Sequence, residues 1–216
     1  MSLAWRTSPG EAMPRVEDRI RGGDATLAFD TNAIIGFSGA EARVTFGAFW
    51  TVCDDASRLR DEAREPLSIE IVVPALAHLE VLHDLRTTIG ARFDRARVER
   101  ELQSKQVAIP PFHDEAALKA SETLHRWFPD AGLWRAAKRA RCLEVLGLRD
   151  APGQAGLASI DWAIAAQAEA EGWILVTDDA RAEFNHVSHK ITKSVLRRLL
   201  DGLLRERGLY GASPAP

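Results

Sequence analysis

Thr26-Leu-Ala-Phe-Asp-Thr-Asn32 is the stretch on which the fold turns. A short apolar run stops at a carboxylate and two polar residues, and the pattern beyond it becomes helical, so the segment reads as a buried strand closed by a polar turn. Three later runs behave in the same way. Ile69-Glu-Ile-Val-Val73 is β-branched and ends at Pro74, a residue tolerated in a first helical turn, and Ala75 to Leu85 follows with helical spacing. Val107-Ala-Ile109 ends at Pro110-Pro111, and Asp114-Glu115 opens an alanine-rich helix to about Trp127, with its acids where a helix N-terminus favours them. Ser159 is suited to cap a helix through about Glu171, Gly172 ends it, and Trp173-Ile-Leu-Val-Thr177 forms a fourth strand closed by Asp178-Asp179. A further helix is expected from Arg135 to Leu146, and a last one from Ser194 to Arg207. Strands alternating with helices predict an α/β fold, a three-layer α/β/α sandwich with a mainly parallel central sheet.

The chain has 216 residues, with 28 Lys and Arg against 31 Asp and Glu, a net charge of −3, 46% hydrophobic and 27% charged residues. That composition is globular, and the length with no Ser/Gly/Pro-rich linker favours one domain. The expected organisation is a flexible N-terminal arm over 1–24, a single domain over 25–207 with a helical insertion around 128–150, and a C-terminal tail over 208–216. Within the arm, a short helix from about Met13 to Ile20 is the alternative. No run is long and apolar enough to cross a bilayer, and the first residues lack a signal-peptide core, so a soluble, cytoplasmic protein is expected. Two cysteines, Cys53 and Cys142, are too few for a disulfide framework or a thiolate zinc site. With charge near balance, contact with a nucleic acid must rest on a local basic patch.

In an open parallel sheet the ligand crevice lies beyond the carboxyl ends of the strands. Asp30 follows the first strand, Glu80 sits on the second turn of the helix after Pro74, Asp178 and Asp179 follow the fourth strand, and Asp161 lies in the opening turn of the helix before it. Carboxylates brought to one mouth raise one another's energy when ionised, and a divalent cation relieves that repulsion. Oxygen ligands suit Mg²⁺ or Mn²⁺. The chemistry that follows is metal-assisted phosphodiester hydrolysis, which needs no Ser, Cys or His nucleophile. No glycine-rich phosphate loop is present, which argues against a nucleoside triphosphatase or a dinucleotide oxidoreductase. Asp84 shares a helix face with Glu80 but reads better as surface charge, and the six histidines form no zinc pattern. Two basic segments are candidates for RNA contact: Arg135, Lys138, Arg139 and Arg141, and then Lys190, Lys193, Arg197 and Arg198. The tryptophans read as core or interface anchors. The leucine stripe of the last helix belongs to a core, and any exposed part of it would suit a homodimer or a partner helix.

Phe29-Asp-Thr-Asn32, Val73-Pro-Ala-Leu-Ala-His-Leu-Glu80, Asp161-Trp-Ala-Ile-Ala-Ala166 and Leu175-Val-Thr-Asp-Asp179 followed by Phe184 resemble, in order, the four acidic motifs of the PIN-domain ribonucleases. The likeness runs from about Thr26 to Ile191 and includes Val107-Ala-Ile-Pro110, similar to that family's third strand. It implies a Mg²⁺- or Mn²⁺-dependent endoribonuclease that leaves a 5′-phosphate and a 3′-hydroxyl. Asp30, Glu80 and Asp161 match the first three catalytic, metal-binding acids. Asp179 matches the fourth by its spacing from Thr177, with Asp178 taking the role if the turn is shifted. Asn32 and Thr177 match polar positions that support the acids by hydrogen bonding. Many relatives of the VapC-like kind are toxins of toxin–antitoxin pairs, so an antitoxin is an implied partner beside the RNA substrate. The intervals between Asp30 and Glu80 and between Glu80 and Asp161 are longer than in compact members of that family. The alternative reading is a catalytically silent PIN-like module that binds RNA or protein. A phosphatase of the haloacid-dehalogenase type would need an aspartate where Asn32 stands.

Overall fold

A computed structural model of the chain describes residues 9–38, 43–137, 159–178 and 182–210. Helix α1 (Pro9–Arg21) leads into β1 (Asp24–Phe29), and a single turn of helix, α2 (Thr31–Ile34), follows it. A two-stranded antiparallel hairpin, β2 (Gly36–Ser38) and β3 (Arg43–Thr45), precedes α3 (Gly47–Asp61) and β4 (Ser68–Val72). Then come α4 (Ala75–Ile89), α5 (Arg95–Ser104), β5 (Val107–Ala108) and α6 (Asp114–Trp127). The described part of α7 covers 131–137. The chain closes with α8 (Ser159–Ala170), β6 (Ile174–Val176), β7 (Lys190–Ile191) and α9 (Lys193–Glu206).

The main sheet has five strands in the order β5-β4-β1-β6-β7, and every pairing in it is parallel. Helices flank it, which makes the molecule the expected α/β/α sandwich. β1 is central. Its neighbour β4 continues the chain in one direction, whereas β6 begins again on the other side, so the order reverses between β1 and β6 and a crevice opens there at the strand ends. Leu27, Ala28 and Phe29 are all fully buried, as expected of a strand covered on both faces. Phe29 meets Phe49 of α3 edge to face with ring centroids 5.0 Å apart, and α3 in turn packs along α9. The stripe of Leu196, Leu199, Leu200, Leu203 and Leu204 on α9 is buried, so it closes the core.

The four expected strands and the helices opening at Asp114, Ser159 and Ser194 are present with ends shifted by a residue or two, whereas the helix expected from Ala75 to Leu85 runs on to Ile89 and the one after β1 is a single turn. The Arg135–Leu146 helix and the 128–150 insertion lie largely outside the described residues, beyond 137. β7, the hairpin and α5 were not anticipated; β7 and the hairpin strands are two or three residues long, too short to show a period.

The N-terminal arm needs correction. Residues 9–21 form a helix, longer than the Met13–Ile20 alternative, and it packs against β1 and β7. Val16 and Ile20, four residues apart on one face, have no solvent exposure. The Arg19 guanidinium donates to the Gly172 carbonyl at 2.9 Å, and Arg21 bridges Glu17 at 2.7 Å and Glu206 of α9 at 2.6 Å. At Gly23 the backbone takes φ 70°, and a Cβ there would lie 3.1 Å from the Leu67 side chain, so glycine is required where α1 turns into β1. Of the prolines and glycines that suggest a loose arm, Pro9, Gly10, Gly22 and Gly23 lie at or beyond the ends of α1, and Pro14 is accommodated within it, in an element that Val16 and Ile20 dock. The tail is likewise shorter than expected: Leu209 packs on the core and its N–H donates to the Leu204 carbonyl at 2.9 Å.

If α1 is part of the core, Ile20→Ala should lower stability by about 2 to 5 kcal/mol in a urea titration. A loose arm would leave the midpoint unchanged.

Candidate metal centre

The register of the two central strands sets up the site. Phe29 lies opposite Val176, so the next residues, Asp30 and Thr177, leave the sheet side by side. The Asp30 N–H donates to the Val176 carbonyl at 3.0 Å, and the Thr177 N–H to the Ile191 carbonyl at 3.1 Å, which holds both at the mouth of the crevice. The Thr177 hydroxyl then donates to Asp30 Oδ2 at 3.0 Å. Thr177 is fully buried and Asp30 is 1% exposed.

Glu80 arrives from the second turn of α4, and Asp161 from the first turn of α8. Both are half-buried. One carboxylate oxygen from each of Asp30, Glu80 and Asp161 lies within 4.8 Å of the others. The Thr31 hydroxyl donates to Glu80 Oε2 at 2.6 Å, so the residue that begins α2 fixes the acid brought by α4. Thr31 was not singled out from the sequence, although it stands between Asp30 and Asn32; its hydroxyl partner is 49 residues away. Asn32 is exposed on α2.

Burial pushes the Asp30 carboxyl up to about 7, and the neighbouring charges of Asp161 and, less strongly, Glu80 push the same way, while hydrogen bonds from Thr177 and the Thr31 backbone oppose them. A cluster of this kind holds a proton or a cation. Three hard oxygen donors from three separate segments, one of them buried and pinned, fit Mg²⁺ or Mn²⁺ better than a softer ion. No protein-family model matches the chain, and no curated protein matches it. The chemistry is therefore read from these side chains.

Asp178 stands outside the three-carboxylate group. It is exposed, its Oδ1 accepts the Lys193 backbone N–H at 3.0 Å and its Oδ2 faces the Lys193 ammonium at 3.4 Å. It therefore sits at the N-terminus of α9, where backbone donors and the helix dipole favour an anion, and not with the other acids. Asp179 lies outside the described residues. Asp84 is half-buried on α4 and is not a member of the cluster.

The basic candidates divide. Arg135, Arg197 and Arg198 are exposed. Lys193 is the partner of Asp178 and has only 16% of its side chain accessible. Lys190 is buried and donates to the Phe184 carbonyl at 2.8 Å; burial pushes its ammonium down to about 8, and it faces the protein interior where a phosphate contact was expected. Lys138, Arg139 and Arg141 lie outside the described residues.

Behind Asp161, the Trp162 ring is 1% exposed and packs against Phe128 at 4.9 Å, Trp134 at 5.7 Å and His186 at 5.6 Å between ring centroids. These rings anchor the N-terminal turn of α8, and with it Asp161, against α6 and α7. Gly172, at φ 65° with its N–H donating to Glu169 and that of Trp173 to Ala168, stops α8 and turns the chain into β6.

The raised Asp30 pKa has a consequence for folding without metal. A carboxyl bound to its proton more tightly in the folded chain stabilises the fold below its ordinary pKa of 3.8, and that contribution is lost as pH rises toward 7. In EDTA, stability of the wild type should fall between about pH 4 and 7, by about 1.4 kcal/mol for each unit of pKa difference, relative to Asp30→Asn. Urea titrations of the two proteins across this range check it; parallel curves would count against the buried carboxyl.

Proposed function

We propose that the chain is a Mg²⁺- or Mn²⁺-dependent endoribonuclease of the PIN-domain type. The reading rests on one observation: Asp30, Glu80 and Asp161, supplied by a strand end and two helices, converge within 4.8 Å at the point where the strand order reverses. The absence of a glycine-rich phosphate loop supports a hydrolytic rather than a nucleotide-binding site.

When bound, the ion supplies Lewis-acid polarisation of a phosphoryl oxygen and a lowered pKa for its water. The remaining work belongs to the protein. Asp30, buried and oriented by Thr177, would be the fixed ligand of the ion. Glu80, oriented by Thr31, and Asp161 are half-buried, so their side of the cluster is the one open to water and to a phosphodiester. Asp30, Glu80 and Asp161 would hold the ion, and the two half-buried acids are placed to orient a water by hydrogen bonding; charge stabilisation at the leaving oxygen is what the ion would supply. Asp179 is the fourth acid on this reading. Arg135 and Arg197 are the cations proposed to take the RNA backbone, with Lys138, Arg139 and Arg141 continuing the first of these segments in sequence. The biological setting this suggests is a toxin restrained by an antitoxin.

Total RNA incubated with the protein should be cut in Mn²⁺ or Mg²⁺ and left intact in EDTA, with 5′-phosphate ends on the products. Asp30→Asn and Glu80→Gln should each remove cleavage. Thr177→Val, which keeps the three acids and removes the hydroxyl that donates to Asp30, should weaken Mn²⁺ binding by about 10- to 100-fold in a calorimetric titration. Cleavage that persists in EDTA or in Asp30→Asn would overturn the assignment, and tight Mn²⁺ binding with no cleavage of any RNA would favour the silent module.

A further inference from the structure

Away from the carboxylate cluster, α3, α4 and α5 enclose a cavity of about 610 Å³. That is the size range of pockets that take small organic ligands. Its wall is apolar, and Phe46, Trp50, Ile89, Phe93 and Val98 are each left only partly buried around it. Large apolar side chains half-exposed about one hollow mark a surface that is covered in use.

The rim carries charge of a particular kind. Arg92 and Arg97 border the cavity, are exposed, and take part in no ion pair among the described residues. Of the two acids at the same rim, Asp94 is already engaged. Asp94 Oδ1 accepts the Arg97 backbone N–H at 3.1 Å as the cap of α5, and Arg100 stands 4.0 Å from its other oxygen. Glu101 is exposed, and the Lys105 ammonium whose field it shares is itself bridged to Asp54. The nearby arginines differ from Arg92 and Arg97 in having partners: Arg86 lies over the Phe93 ring at 4.9 Å, and Arg95 bridges Glu99 at 2.6 Å. His78, the remaining polar lining residue, is held below its ordinary pKa by burial and adds no cation at neutral pH. Two uncommitted guanidinium groups thus stand over an apolar hollow.

We propose that this cavity binds a small amphiphilic monoanion, an aliphatic carboxylate whose apolar body fills the hollow and whose head group is taken by Arg92 and Arg97. Guanidinium suits the task because its planar donors match a carboxylate in a paired geometry. The proposal stands independently of the nuclease reading, because no member of the carboxylate cluster lines the cavity: α4 turns Glu80 toward the cluster and His78, Val81 and Leu85 toward the hollow.

Calorimetric titration of the full chain with decanoate, decanol and decyltrimethylammonium, each as monomers in solution, tests the proposal. Decanoate should bind saturably at one per chain, at least tenfold tighter than decanol, with decyltrimethylammonium weakest. Arg92→Ala/Arg97→Ala should bring decanoate down to the affinity of decanol while leaving decanol unchanged, and the retained decanol binding shows that the variant is folded. The proposal is overturned by no saturable uptake of decanoate, as expected of a groove reserved for a partner's helix, or by equal binding of the cationic amphiphile. It is also overturned by decanoate affinity that survives the double substitution, or by a dimer in sedimentation that decanoate does not dissociate.

Discussion

A carboxylate that is 1% exposed at the end of the central strand is costly to keep, and much of the structure around it is arranged so that it can be kept. Asp30 has its backbone tied to β6, its side chain tied to Thr177, and two further acids within reach. Neither hydrogen bond offsets the combined effect of burial and like charge, which leaves the group titrating near neutrality, at about 7. An ionised cluster is tolerable once a doubly charged cation sits among the oxygens. The energetic cost of the fold and the chemical capacity of the site therefore have one origin.

The rest of the chain can be read as the means of bringing the second and third acids to the first. Parallel pairing puts every strand end on one edge, and the reversal of strand order between β1 and β6 opens a gap at that edge. α4 begins after its N-cap Pro74, two residues beyond β4, which places Glu80 about one and a half turns in and at the gap. α8 brings Asp161 in its first turn, which the rings of Trp162, Phe128, Trp134 and His186 hold down. The leucine face of α9 and the docked α1 complete the core from which these elements project.

The regular part of this arrangement was legible from the residues. Apolar runs stopping at Asp30, Pro74 and Asp178, each joined to helical spacing, specify strands and helices locally, because burial on both faces and chain-breaking residues act over a few positions. Elements whose existence depends on a distant neighbour were not legible. β7 is two residues long and exists because it pairs with β6, and α1 is helical in a segment with two prolines because Val16 and Ile20 find a surface on β1 and β7. Lys190 illustrates the same limit: in sequence it belongs with a basic run, whereas the pairing of β7 with β6 turns it into the interior.

By itself the sequence determined the α/β order and which carboxylates stand next to strand ends, since both follow from local pattern and chain direction. Only the tertiary structure decided that Asp30, Glu80 and Asp161 share one point, that Asp178 instead answers Lys193 at the start of α9, and that Thr31 and Thr177 orient two of the acids. Convergence depends on strand register and helix docking across separations of tens to more than a hundred residues, and electrostatic partnership falls off with distance in space, a quantity that spacing along the chain does not contain.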